Sequence, residues 1–292
     1  MISEALGNLG AILKRYSCIV TVLCLFAAPI HASVFVTLST LATSANDGTG
    51  TTNQSDNVSS LPWFQVRPVT RGSASATTTY DFAVDGDDVT FTLSFDHDRD
   101  GAAGNSARSF GMFMFSPFVP VRYEISGQYV TTAGGRTKID VALIDGVTNR
   151  FANVQVSESA STHSFALGQE GGDSENNLEG SLVGVLAAGG DYQFAYRFEV
   201  FEALNILAAS ADGQAVLAIT PAVPGDFDAD DDVDQDDFGA FQACMSGPAV
   251  FRPSECALAD LDQDFDVDQS DFGVFQRCLT GPNVTGDVSC AE

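Results

Sequence analysis

Aspartates at every second position repel one another, yet this chain writes such a run twice. Asp226-Phe-Asp-Ala-Asp-Asp-Asp-Val-Asp-Gln-Asp-Asp-Phe is followed, 34 residues later, by Asp260-Leu-Asp-Gln-Asp-Phe-Asp-Val-Asp-Gln-Ser-Asp-Phe. Between Asp226–Pro248 and Asp260–Pro282, 15 of 23 positions are identical. Two like charges 4 Å apart cost about 1 kcal/mol in water and more when partly buried. A segment built this way folds compactly only if something positive enters it. Phenylalanines interrupt the aspartates at regular spacing, so the region is not a disordered acidic tail. Both copies must curl around a cation and then bury an aromatic face.

The positions of the oxygens identify the class of cation. Within each 12-residue stretch, carboxylates stand at positions 1, 3, 5, 9 and 12, with a β-branched residue at position 8. A hard cation such as calcium takes six to eight oxygens, and a loop supplies them from alternate side chains, one backbone carbonyl at position 7 and a closing carboxylate at position 12. This resembles the ligand order of an EF-hand-type calcium loop. The first copy offers Asp226, Asp228, Asp230, Asp232 (through its carbonyl), Asp234 and Asp237. The second offers Asp260, Asp262, Asp264, Asp266 (carbonyl), Asp268 and Asp271. Two calcium ions are expected, and magnesium fits less well because it resists an all-protein oxygen cage. Val233 and Val267, at position 8, are expected to face each other in a short β-contact. Position 6 turns sharply and favours glycine, but here holds Asp231 and Phe265. Aspartate tolerates the left-handed region, whereas phenylalanine does so at roughly 1–2 kcal/mol. The first site is therefore expected to bind more tightly than the second.

Each loop leads into a predicted helix, Gln235–Met245 and Gln269–Leu279. Phe238, Phe241 and Met245, and likewise Phe272, Phe275 and Leu279, recur at i, i+3 and i+7 as one apolar face. Gly247-Pro248 and Gly281-Pro282 end the helices. Neither loop has room for an entering helix, so the units are loop–helix halves. Two such halves over residues 226–292 resemble a type I dockerin domain. That resemblance implies two calcium ions, an antiparallel helix pair and docking to a cohesin-like protein partner. It places recognition at positions 10 and 11 of each loop, which are Gln235, Asp236, Gln269 and Ser270 here, and on the helix that follows. The sequence departs from the family in lacking position-6 glycines, in its extra cysteines and in its near lack of basic helix residues, Arg277 being the one present.

Residues 1–32 read as a signal peptide: Lys14-Arg15, an apolar run from Cys18 to Ile30, and a small residue at Ala32. The run is short for a membrane span, which needs about 20 residues, so stable membrane insertion is not expected. The chain is expected to be secreted or held at the cell surface. Removal of that segment leaves Cys244, Cys256, Cys278 and Cys290, one pair per repeat with the same separation of 12. An even, periodic set in an exported protein implies disulfides. Of three possible pairings, periodicity favours Cys244–Cys256 and Cys278–Cys290. A net charge of −26 excludes nucleic acid as a partner.

Residues 33–220 alternate apolar and polar side chains with a period of two. Strands are expected at Tyr80–Val84, Val89–Phe95, Phe110–Phe115, Val121–Ser126, Ile139–Ile144, Val154–Val156, Leu182–Leu186, Tyr192–Phe201 and Ala215–Thr220. Turns are expected at Asp85-Gly86, Ala133–Gly135, Asp145-Gly146, Gly189-Gly190 and Asp212-Gly213, and a long loop over Thr43–Ser60. A short helical patch is expected near Glu202–Ala209. The predicted fold class is mainly β: an antiparallel sandwich or jelly roll, a linker at 221–225, and a small all-α calcium-loop domain. Asp96-His-Asp-Arg-Asp-Gly101 opens like a calcium loop but lacks the closing carboxylate, and reads as a charged strand end or turn. His97 and His163 stand in no triad-like or zinc-type motif, and Trp63 is expected in the core rather than on a sugar-stacking platform. The leading reading is a non-catalytic body carrying a calcium-dependent assembly or attachment module. The alternative is a dockerin-tethered polysaccharide hydrolase or carbohydrate-binding protein with its site in the β-domain.

Overall fold

The computed structural model describes residues 33–58, 60–100, 104–132, 136–146, 148–157, 160–165, 176–201 and 208–291. The expected signal peptide, the turn at Ala133–Gly135 and most of the helical patch near Glu202 lie outside them. Period-two alternation turns directly into two sheets, with strands numbered in chain order. One sheet runs β11 (Asn176–Gly180), β9 (Thr148–Ser157), β8 (Arg136–Asp145), β13 (Tyr192–Phe201), β6 (Asn105–Pro117), β1 (Val34–Asp47), β2 (Thr51–Asp56). The other runs β10 (Ser161–Phe165), β7 (Val121–Thr131), β14 (Ala209–Pro221), β5 (Asp88–Arg99), β4 (Ala74–Asp85), β3 (Trp63–Arg71), with β12 (Val183–Leu186) also on β7. Neighbouring strands pair antiparallel throughout. The body is a β-sandwich, and all nine expected strands are present.

Two expectations about its connections fail. The loop expected over Thr43–Ser60 is mostly strand: β1 continues to Asp47, turns, and returns as β2 with Leu41 opposite Asp56. Polar composition hid it, because Thr43 and Ser44 are buried and Thr43 satisfies its hydroxyl on Thr78 at 2.7 Å. Asp212-Gly213 is no turn but lies inside β14, opposite Val130 and Tyr129 of β7. A Cβ at Gly213 would run into the Gln128 carbonyl and Tyr129, so the glycine permits close strand approach. Asp85 pairs Asp88 across a two-residue turn in which Gly86 takes φ 64°, so that hairpin is found.

The interior is aromatic. Phe113 of β6 is fully buried, with ring centroids 5.2 Å from Phe82, 4.5 Å from Phe91 and 5.5 Å from Phe194. Trp63 packs at the margin of this core against Tyr80 and Phe82. A polar seam also crosses between the sheets. Thr43 donates to Thr78, Thr78 and Ser109 share a hydrogen bond, and Ser109 meets His97 Nε2 at 2.7 Å. Asp96 and Asp98 face outward while His97 and Arg99 face inward, which is the charged strand end expected of that motif.

His97 is fully buried, and burial pushes its pKa down from 6.5 to about 3. The unfolded chain gains a proton below pH 6.5 that the native imidazole refuses until about pH 3, so stability falls as pH drops through that window. At up to 1.36 kcal/mol per pH unit, the loss between pH 6.5 and 4.5 is about 2 kcal/mol. Replacing His97 by Gln is expected to flatten this part of the stability–pH curve, measured by denaturant unfolding. Equal slopes in the two proteins would refute the assignment.

Candidate metal centre

The acidic repeats fold as two loop–helix units with α1 at Gln235–Cys244 and α2 at Gln269–Cys278. Asp234 and Asp268 are the N-caps. Each accepts a backbone N–H from two residues on, and the closing aspartates Asp237 and Asp271 complete a capping box. Phe238 and Phe241 pack on Phe272 and Phe275, with centroid distances of 5.4–6.0 Å. Met245 and Leu279, expected on that face, are the C-caps instead and each is 54% exposed. Disulfides join Cys244 to Cys256 and Cys278 to Cys290, so each unit staples itself.

The β-contact expected between Val233 and Val267 does not form, because their backbone groups are used elsewhere. The Val233 carbonyl accepts N–H bonds from Thr280 and Gly281, and its N–H donates to the Thr280 hydroxyl. The Val267 carbonyl accepts from Ser246 and Gly247, and its N–H donates to the Ser246 hydroxyl. Each loop is thus closed by the turn that ends the other unit's helix, while both valines sit in the shared core.

In the first loop, oxygens of Asp226, Asp228 and Asp237 lie within 4.8 Å of one another, as do those of Asp232, Asp234 and Asp237. The second loop repeats this with Asp260, Asp262 and Asp271, and with Asp264, Asp266 and Asp271. Asp230 stands outside these groups but bears electrostatically on Asp228 and Asp237. Asp268 also stands outside them, as the cap of α2. The sequence assigned Asp232 and Asp266 by carbonyl alone; their side chains prove relevant too. Asp232 accepts from the Asn283 N–H and Asp266 from the Ala249 N–H. Each nevertheless keeps a second carboxylate oxygen buried with no hydrogen-bond partner. A buried unpaired carboxylate oxygen is costly, and a cation is the natural partner for it.

Electrostatics point the same way. Burial, opposed by N–H bonds from Ala229 and Asp231, pushes Asp226 up to about 6. Asp228 also rises to about 6, through burial and then the neighbouring Asp237 and Asp230 charges. Asp237, Asp262 and Asp266 rise for the same kind of reason, burial first. Burial and mutual repulsion thus make these carboxylates costly to ionise together unless a positive charge lies among them. The donor set fits a hard divalent cation: oxygen only, several carboxylates, and loop backbone already curled.

The backbone of each loop is left-handed at positions 4 and 6: Ala229 (φ 64°) and Asp231 (φ 72°), then Gln263 (φ 64°) and Phe265 (φ 75°). The sharp turn at position 6 is therefore present, and Phe265 bears it with its ring 59% exposed beside Phe251. Two arginines that sequence reasoning passed over touch these loops. Arg122 of β7 reaches Asp231 and the Ala229 carbonyl, each at 3.3 Å, so the first loop is seated on the sandwich. Arg252 reaches Asp260 in the second loop at 2.6 Å. Ala222 and Val223, in the expected linker, are buried, and Ala222 N–H donates to the Pro120 carbonyl. Ala222 and Ala229 share an apolar cluster with Val185 of β12.

No family model matches the chain, and no curated protein does. Among solved structures, a chain from the structure of infectious bursal disease virus Gx strain aligns at 11% identity and a TM-score of 0.24. The alignment covers 64% of this chain and 54% of the viral one. This chain thus spans about half the length of that neighbour, and a score so low carries no argument about fold or role.

Proposed function

We propose that residues 226–292 are a two-site calcium module of dockerin-like construction. It serves calcium-dependent assembly or surface attachment of an exported, non-catalytic β-sandwich. The observation that carries this reading is the pair of acidic loops in which Asp232 and Asp266 each keep a buried carboxylate oxygen unpartnered. Gln235, Asp236, Gln269 and Ser270, where a dockerin carries recognition, are exposed at the helix starts. A cohesin-like domain is therefore the protein partner to test, and the two disulfides suit an exported protein.

Calorimetric titration of the chelator-stripped chain is expected to show two calcium ions bound per chain, with magnesium weaker. Calcium at 100 times its dissociation constant is expected to add about 2.7 kcal/mol of stability per site. Pull-down on an immobilised cohesin domain is expected to succeed in calcium and to fail in chelator. Absence of calcium uptake would refute the metal reading, and calcium uptake without cohesin capture would refute the proposed partner.

A further inference from the structure

The two copies differ at one position that bears on their cation sites. In both, the backbone N–H eight residues before position 1, or at the equivalent place after the other helix, closes position 6. Arg252 N–H donates to the Phe265 carbonyl at 3.0 Å, and Gly286 N–H donates to the Asp231 carbonyl at 2.8 Å. Arg252 and Gly286 are 34 residues apart, the spacing of the repeat. The backbone contact is shared; the side chain is not. From this fixed point Arg252 turns its guanidinium onto Asp260, Nε to Oδ2 at 2.6 Å, with the arginine side chain 19% exposed and the carboxylate side chain 2% exposed. Asp260 is position 1 of the second loop. Its carboxylate already accepts N–H bonds from Asp264 (3.0 Å) and Phe265 (3.1 Å). Asp226, its counterpart, accepts only the corresponding kind of loop bonds, from Ala229 and Asp231. Arg122, the arginine beside the first loop, meets position 6 and leaves Asp226 free.

Resting on the calcium reading above, we infer that Arg252 is a resident counter-cation of the second loop: it neutralises Asp260, supports the loop without metal and sets that site's affinity below the first. A guanidinium sharing a carboxylate out of water acts on an incoming divalent cation in two ways. It repels the ion, and it withdraws part of the negative charge that would bind it. The first loop has glycine at the equivalent place, and its arginine, Arg122, meets Asp231 and the Ala229 carbonyl rather than position 1, so Asp226 has no resident counter-charge. The second loop still has a use for a cation, because Asp266 keeps its buried oxygen unpaired. The difference that Arg252 makes between the sites is thus one of degree. This mechanism is separate from the turn strain at Phe265, which acts on the backbone in either metal state.

The two causes predict different things for Arg252: turn strain alone leaves the second site unchanged when Arg252 is replaced. Calcium titration of the full chain carrying Asp237→Asn isolates the second site. There, Arg252→Met, which keeps the aliphatic stem, is expected to tighten calcium binding about tenfold or more. Arg252→Gly, which copies the first repeat, is expected to do the same. In chelator, both variants are expected to melt at lower temperature than their parent, and calcium is expected to restore more than the deficit. In an Asp271→Asn background, where only the first site reports, Arg252→Met is expected to leave affinity within twofold. An unchanged or weakened second site, with the first site binding normally, overturns the role of Arg252. Absence of calcium uptake by every one of these chains overturns the calcium reading on which it rests.

Discussion

Asp237→Ala is expected to abolish one of the two proposed calcium sites, weakening calcium binding at the first loop by at least about 100-fold, equivalent to about 2.8 kcal/mol. Three roles converge on this carboxylate, which is 1% exposed. One oxygen accepts the Phe227 N–H at 2.7 Å, and the other accepts the Asp234 N–H at 2.8 Å, closing the capping box of α1. The same carboxylate belongs to both oxygen groups of the loop. Alanine leaves two backbone donors short of a partner, at about 1–3 kcal/mol for each one that stays buried. In the metal-free protein, part of that loss is offset, because a carboxylate crowded by Asp230 and raised in pKa has gone. The loss should therefore be far larger with calcium than in chelator. Asp237→Asn separates the effects, since it keeps an acceptor and removes the charge. Calorimetry with both variants checks this, and retention of two equal sites would refute the role of Asp237.

Phe113→Ala is the substitution with the largest expected effect on the sandwich, about 3–5 kcal/mol. Its ring meets Phe82 and Phe91 of one sheet and Phe194 of the other, so truncation opens a void exactly between the layers that neither sheet can close alone. For a chain of this size each kcal/mol moves the melting point by roughly 2–4 °C, giving a fall of about 10 °C by calorimetry. The calcium stoichiometry should stay at two, because α1 and α2 have their own core and disulfides. A shift under about 2 °C would show that the interior repacks freely.

The repeats were legible because the clustering of loop aspartates and the disulfide pairing are both local, at fixed spacing along the chain. Period two revealed the strands wherever one face was apolar. It failed at Thr43–Asp47, where Thr43 and Ser44 are buried and the Thr43 hydroxyl is satisfied by Thr78 of another strand, and at β2, which is polar and exposed along nearly its whole length. It failed again at Gly213, since a glycine that permits close approach looks identical to one that turns. The contacts of Val233 and Val267 went unread because each is made with the other unit's helix end. Arg122 was out of reach for the same reason, lying about a hundred residues from Asp231. Arg252 was within reach: setting the two repeats side by side shows an arginine where the other copy has Gly286.

The burial of residues 222 and 223 has a mechanical consequence. A free tether of that length would let the helical unit tumble, and a partner holding it would gain only a leashed companion. Here the chain leaves β14, drops its next two side chains into apolar surroundings and reaches the first loop already braced by Arg122. Whatever grips α1 or α2 therefore also sets the heading of the sandwich, which stands out from the point of attachment like a bracketed arm rather than a pendant.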